Sequence, residues 1–246
     1  MSGHSKWSTI KHKKGAADAK RGRLFTKLIK EITMSAKVGG GAVDSNPRLR
    51  SAVLAAKRAS MPSDNIDKAI KRGTGELEGV TYEEVVYEGY GPGGAAILIE
   101  AMTDNKNRTT SEIRHLLTKY GGNMAAAGAV AFQFSKKGYV AIEKSAAKED
   151  ALMELALESG AEDFKTEDAD VFEIYTDPSS FDAVKAAVEA RNIAIQTAEI
   201  QMVPQNTIDV ADKAPALLKL LDMVEDNDHV QKVWSNGDID EKYLTE

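Results

Sequence analysis

The stretch YVAIEKSAAKEDALMELALESGAEDFKTEDADVFEIYTDPSSFDAVKAAVEARNIAIQTAEIQMV, residues 139–203, decides the fold. Its apolar residues change period along the chain. YVAIEK (139–144), AEDFKT (161–166), VFEIYT (171–176) and IAIQTAEIQMV (193–203) are rich in β-branched and aromatic residues and read as strands. AKEDALMELALES (147–159) and SSFDAVKAAVEARN (179–192) repeat their apolar residues at three- and four-residue spacings and read as helices. The order is therefore β-α-β-β-α-β, the ferredoxin-like split βαβ arrangement.

Working outward, VTYEEVVYEGY (80–90) and AAILIEAMT (95–103) read as strands joined by a GPGG turn, and SEIRHLLTKY (111–120) as a helix closed by Gly121 and Gly122. AVAFQF (129–134) reads as a further strand. After Pro204 come the strand NTIDV (206–210), the helix APALLKLLDMVED (214–226) and the strand HVQKVWS (229–235). The earlier β-β-α-β lacks a partner half unless this last piece completes it. The βαββαβ unit is thus expected to be inserted in a discontinuous domain.

Residues before Gly79 read as helical. Leu24, Phe25, Leu28, Ile29 and Ile32 fall on one arc of a helix, with Lys20, Arg23, Lys27 and Lys30 opposite, and Gly39 to Gly41 end it. A second helix opens with Asn46 as cap and Pro47 at its first position, carrying Leu49, Val53 and Ala56 as its apolar stripe. A third follows MPSDN, with Ile66, Ala69 and Ile70 inward and Lys68, Lys71 and Arg72 outward, until RGTGELEG (72–79) stops it. The fold class expected is α+β: an N-terminal three-helix domain followed by two ferredoxin-like α+β domains, one inserted in the other. The boundaries are 1–78 for the basic helical domain, 79–136 plus 204–246 for the discontinuous domain, and 137–203 for the insert.

Charge follows the same division. The chain of 246 residues has a formal net charge of -6, yet residues 1–78 hold 17 Lys and Arg against 7 Asp and Glu, while 79–246 hold 15 against 31. A basic head sits on an acidic body. The absence of cysteine excludes disulfides, thiolate metal sites and cysteine nucleophiles. With no apolar run long enough to span a bilayer and no secretory h-region, a cytoplasmic address is expected. A mitochondrial presequence is the rival reading of the basic, serine-containing start, and the basic residues that continue through Arg72 weigh against it.

GHSKWSTIKHKKGAADAKRGRLFTKL (3–28), NPRLR (46–50), MPSDNIDKAIKRGTG (61–75), YEGYGPGG (87–94), TDNKNRTTSEIRH (103–115) and GGNMA (121–125), in this order, closely resemble the YebC family. The resemblance implies a cytoplasmic three-domain protein of the kind described as a DNA-binding transcriptional regulator. Mitochondrial relatives act as translational activators, and bacterial members have been linked to the ribosome. It implies no enzymatic activity.

The residues point the same way without the family. Lys6, Lys11, Lys13, Lys14, Lys20, Arg21, Arg23 and Lys27 are spaced closely enough to meet a row of phosphates, each neutralised phosphate releasing a condensed counterion. Their other reading is a solubilising face. Trp7 among them is either a stacking platform for an unpaired base or a core anchor for the first helix. Lys106 and Arg108 precede a helix whose N-terminal amides would bind an anion, or they flank an ordinary entrance capped by Thr110 or Ser111. YEGYGPGG lacks phosphate-loop spacing and reads as a hairpin turn. His4, His12, His115 and His229 show no metal-ligand or catalytic spacing, and the carboxylates define no acid/base pair.

The expected function is a non-enzymatic nucleic-acid-binding regulator without cofactor, metal or evident small-molecule substrate, and without a membrane partner. DNA at promoters and structured RNA on the ribosome both remain open, because phosphate contacts carry no base identity. The lack of a helix-turn-helix, RRM or zinc-finger signature tilts the balance toward shape-based recognition of structured RNA. A third reading is a protein adaptor whose basic head docks on an acidic partner. Limited proteolysis is expected to cut first within RGTGELEG (72–79); resistance there, with first cleavage inside 85–135, would contradict the three-domain division.

Overall fold

A computed structural model describes residues 18–243. Three helices come first: α1 (Asp18–Gly39), α2 (Pro47–Arg58) and α3 (Ser63–Thr74). Then follow β1 (Glu83–Tyr90), β2 (Ala96–Thr103), α4 (Lys106–Lys119), β3 (Asn123–Met124), β4 (Phe134–Glu143), α5 (Glu149–Glu158), β5 (Ala161–Lys165) and β6 (Val171–Thr176). The chain ends with α6 (Phe181–Ala190), β7 (Thr197–Pro204), β8 (Ile208–Asp209), α7 (Ala214–Glu225), β9 (Val230–Ser235) and β10 (Gly237–Asp238).

The helical unit is held by a polar hinge and an apolar seam. Asn46, buried, accepts from the Leu49 amide through Oδ1 at 3.1 Å, while its Nδ2 donates to the carbonyls of Ser35 and Gly40, each at 2.8 Å. One side chain therefore caps the end of α1 and the start of α2. Ile32, Ala36, Leu49, Val53, Ala56, Ile66 and Ala69 form the core between the helices. α3 approaches α1 so closely that a Cβ at Gly73 would lie 2.4 Å from the Thr33 carbonyl oxygen. Leu24, expected on the apolar arc, is 44% exposed.

The first sheet has the order β3-β1-β2-β9, every neighbour antiparallel. Ile97 and Ile99 of β2 pack with Ile113 and Leu117 of α4 and Leu217, Leu220 and Val224 of α7, so both helices cover one face. Ala96, Leu98 and Trp234 turn to the other face and pack with Val130 and Phe134. Burial on both faces explains why β2 reads as an unbroken apolar run. The GPGG segment is a hairpin turn, closed by Gly91 N donating to the Ala95 carbonyl at 2.7 Å, with Gly93 at φ 78° in the left-handed region that favours glycine.

The second sheet has the order β5-β6-β4-β7, again antiparallel throughout. That is the split βαβ arrangement expected of residues 139–203. α5 and α6 cover it through Val140, Ile142, Leu152, Phe172, Ile174, Val184 and Val188. Lys232 of β9 joins the two sheets, donating to Glu199 at 2.7 Å and to the Ile200 carbonyl at 3.1 Å. AVAFQF is not a strand: residues 131–133 form a single 3₁₀ turn, and β4 begins at Phe134. The fourth strand of the first sheet is the short β3 instead.

A carboxylate imposes that turn. Glu88, buried on β1, accepts from the amides of Gly128, Val130 and Ala131 at 2.6, 2.7 and 2.8 Å. A backbone bent around one carboxylate cannot also run straight enough to pair as a strand. Burial alone would raise this carboxyl's pKa, but the three amide donors outweigh it and hold it below the ordinary glutamate value. The sign follows: the contribution is present above the unfolded pKa of about 4.3 and is lost as pH falls through the lower folded value. Glu88→Gln should lower unfolding free energy by about 1.5–3 kcal/mol near neutral pH and flatten the acid limb of the stability profile. Urea unfolding at several pH values would measure both.

Candidate nucleic-acid interface

Lys6, Trp7, Lys11, Lys13 and Lys14, together with His4 and His12, lie outside the described residues, as does the side chain of Lys20, whose backbone belongs to the first turn of α1. The cations that follow divide into two groups. Some are engaged by the chain itself, and others face solvent.

The engaged group runs down the side of α1 opposite its apolar arc. Lys27 Nζ donates to the Glu225 carbonyl at 2.7 Å, and Arg23 lies 3.5 Å from the Asp226 carboxylate. Lys30, only 5% exposed, donates to the Asp228 carbonyl at 2.7 Å and reaches the Met102 carbonyl at 3.4 Å. The Glu225, Asp226 and Asp228 oxygens lie at and just beyond the C-terminus of α7, where carbonyls have no intrahelical partner and the helix dipole is negative, while Met102 belongs to β2. The lysines of α1 therefore act as a distant C-cap for α7. The cationic side of α1 is therefore only partly exposed: Lys30 is buried and Lys27 is half-buried. Arg21 remains exposed, its guanidinium 5.5 Å from the centre of the Phe25 ring.

Lys106 and Arg108 sit at the start of α4. Its cap is Asn105, whose side chain accepts from the Arg108 amide at 3.1 Å. Thr110 and Ser111 instead donate their hydroxyls back to the carbonyls of Lys106 and Asn107. The helix begins several residues earlier than its apolar periodicity shows, because its first turn is entirely polar. Lys106 is exposed, whereas Arg108 is paired with Asp104 at 2.6 Å and approaches Glu112 at 3.9 Å.

His229 connects these groups. Its Nδ1 is 3.3 Å from Lys30 Nζ and its Nε2 is 3.5 Å from the Arg108 guanidinium. An ammonium and a guanidinium both only donate and a neutral imidazole has one lone pair, so His229 can accept from one of these two neighbours at a time, and a proton on the ring would set a third positive charge between them. Burial first, then Lys30 and Arg108, hold its pKa below the usual 6.5, opposed by Glu112 and Asp104. Desolvation likewise lowers the Lys30 pKa, against the attraction of Asp228, Asp104 and Glu112. Sequence reasoning missed this joint, since a lone histidine and one lysine 199 positions apart carry no local signal.

The second group lies on α2 and α3. Lys57, Arg58, Lys68, Lys71 and Arg72 are exposed, and none has an acidic partner within ion-pair reach among the described residues. Arg48 differs, bridging Glu31 at 2.8 Å and Glu84, which raise its pKa. Among the described residues no group of His, Asp and Glu has the clustering needed to hold a metal ion, and no helix is long and apolar enough to cross a membrane.

Residues 5–76 match the profile described as TACO1/YebC protein N-terminal domain, and residues 82–237 the one described as TACO1/YebC second and third domain. A probable transcriptional regulatory protein of Desulforapulum autotrophicum is 60% identical over 245 residues, covering 99% of each chain. One from Syntrophobacter fumaroxidans is 59% identical over 246 residues, covering 99% of this chain and 98% of its own. The crystal structure of a conserved hypothetical protein from Aquifex aeolicus superposes with a TM-score of 0.85 at 46% identity, covering 96% of this chain and 98% of that one.

The His229 joint carries a pH prediction. A base whose folded pKa is lowered costs stability as pH falls below its unfolded value of about 6.5, because the unfolded chain takes up the proton first. The native chain should be less resistant to urea at pH 5.5 than at 7.5. His229→Gln should shrink that difference, and an undiminished difference would show that the joint does not titrate.

Proposed function

Because the chain belongs to the TACO1/YebC family, we propose that it is a non-enzymatic, cytoplasmic regulator of gene expression that binds DNA through its basic N-terminal unit. The observation that carries this reading is the one-signed head on an acidic body, 17 Lys and Arg against 7 Asp and Glu in residues 1–78. Its relatives' name as probable transcriptional regulatory proteins supports the same class. Lys6, Lys11, Lys13, Lys14, Lys20, Arg21, Arg23, Lys27, Lys106 and Arg108 are the proposed phosphate contacts, with Trp7 beside them. Arg23, Lys27 and Arg108 also hold the joint described above, so their contacts with phosphate would compete with internal ones. The division into residues 1–78, 79–136 with 204–246, and 137–203 belongs to the same proposal. The acidic domains would supply shape, protein contacts, or repulsion from the wrong nucleic-acid surfaces.

Two experiments test this. Nuclease digestion of a lysate before size fractionation separates the partner classes: loss of co-migration with DNase supports the reading. Loss only with RNase would move it to a ribosome-associated factor, and loss with neither to a protein adaptor. Replacing Lys11, Lys13 and Lys14 by alanine should weaken duplex binding about equally across sequences. It should also flatten the slope of log K against log salt by about 0.9 per contact, roughly 2.7 in all. An unchanged slope and affinity in a folded variant would make this segment a solvated arm.

A further inference from the structure

We propose that the outward sides of α2 and α3 form a second phosphate-contacting surface that docks on duplex DNA, separate from the N-terminal lysines; this rests on the nucleic-acid reading above. Within residues 47–74, seven Lys and Arg stand against two acids, Asp64 and Asp67. Lys57, Arg58, Lys68, Lys71 and Arg72 are all exposed, and none is in an ion pair among the described residues. By contrast, Arg23, Lys27, Lys30, Arg48 and Arg108 each meet an acid or a carbonyl. Uncompensated like charges packed on one small unit repel each other over the Debye length of roughly 8–10 Å, and a polyanion relieves that repulsion.

The geometry shows how the charges are presented. Asn46 places the start of α2 beside Ser35 and Gly40, near the end of α1. Gly73 and the Thr74 methyl place the end of α3 at the same end of α1, against Thr33 and Gly41. The two helices therefore form a hairpin along α1, with its turn, residues 59–62, at the opposite end. That turn is pinned by the Met61 amide donating to the Ala56 carbonyl at 3.0 Å and by Ser60 at φ 58°. Leu49, Val53, Ala56, Ile66 and Ala69 fix the inward side, and this orients the cations outward.

Duplex DNA suits this surface better than RNA. A straight 12-residue helix is about 18 Å long and 10–12 Å across, which the B-form major groove of about 12 Å admits. The A-form groove of RNA is too deep and narrow for side chains to read. Single strands are held largely by stacking on aromatic rings, and residues 47–74 contain no Phe, Tyr or Trp.

The test uses the full chain, with Lys57, Arg58, Lys68 and Lys71 replaced together by alanine. Binding to a 30-base-pair duplex would be titrated between 50 and 200 mM salt beside an RNA hairpin of equal length. The expected result is a slope flatter by about 3.6, four contacts at roughly 0.9 each, and affinity lower by at least about tenfold at the low-salt end. A separate variant, Asp64→Asn with Asp67→Asn, should bind the duplex more tightly, a gain that misfolding does not produce. If the native chain binds the duplex and the alanine variant matches it in slope and affinity, this surface is not used and the N-terminal reading stands. Tighter binding of the hairpin than of the duplex by the native chain would overturn the choice of DNA. Absence of binding to either would overturn the nucleic-acid reading itself.

Discussion

A lysine ammonium held among backbone carbonyls joins the basic and acidic parts of this chain. Lys30 is nearly inaccessible, and its positive charge is tolerated because the Asp228 and Met102 oxygens and a neutral His229 surround it. Removing a charge from water is costly unless its hydrogen bonds are replaced, and here the replacements come from just beyond the C-terminus of α7 and from the end of β2. Lys27 completes the contact one turn earlier on the Glu225 carbonyl. The orientation of α1, and through Asn46 and Gly73 that of α2 and α3, follows from where these carbonyls sit.

The sheets were legible because their signal is local. Residues 139–203 switch between a two-residue and a 3.6-residue period at each element, and the structure places the four strands in the split βαβ order. Asn46 and Pro47 announced α2 by side-chain chemistry that acts within three residues. AVAFQF misled because its apolar residues are buried for another reason. Val130 packs beneath the first sheet, and the Glu88 carboxylate, 42 positions earlier, bends the backbone that carries it. α4 was placed too late because periodicity detects only the buried positions of a helix, and Asn105 caps a turn that is polar on every side.

The candidate site was legible as charge but not as geometry. Counting lysines marks the N-terminal third as basic, yet a count does not separate a lysine that caps a distant helix from one that faces solvent. Lys27 and Lys68 look alike in the sequence. In the structure one meets Glu225 and the other lies on an open helix face. The distinction depends on contacts nearly 200 positions apart, beyond the reach of any pattern in one stretch.

This division of labour constrains how the head can act. The cations that orient α1 are desolvated or satisfied by carbonyls, so salt screens them weakly, whereas the exposed cations of α2 and α3 are screened fully. Raising ionic strength would therefore, within the proposed reading, remove the attraction for a polyanion while leaving the head fixed to the body. Within the proposed reading, the acidic body travels with the head and presents its repulsive charge at a set distance from the bound nucleic acid. That requires a joint that does not loosen under the conditions that release the ligand. A surface ion pair such as Arg23–Asp226 alone would not meet the requirement. A buried lysine on backbone oxygens does.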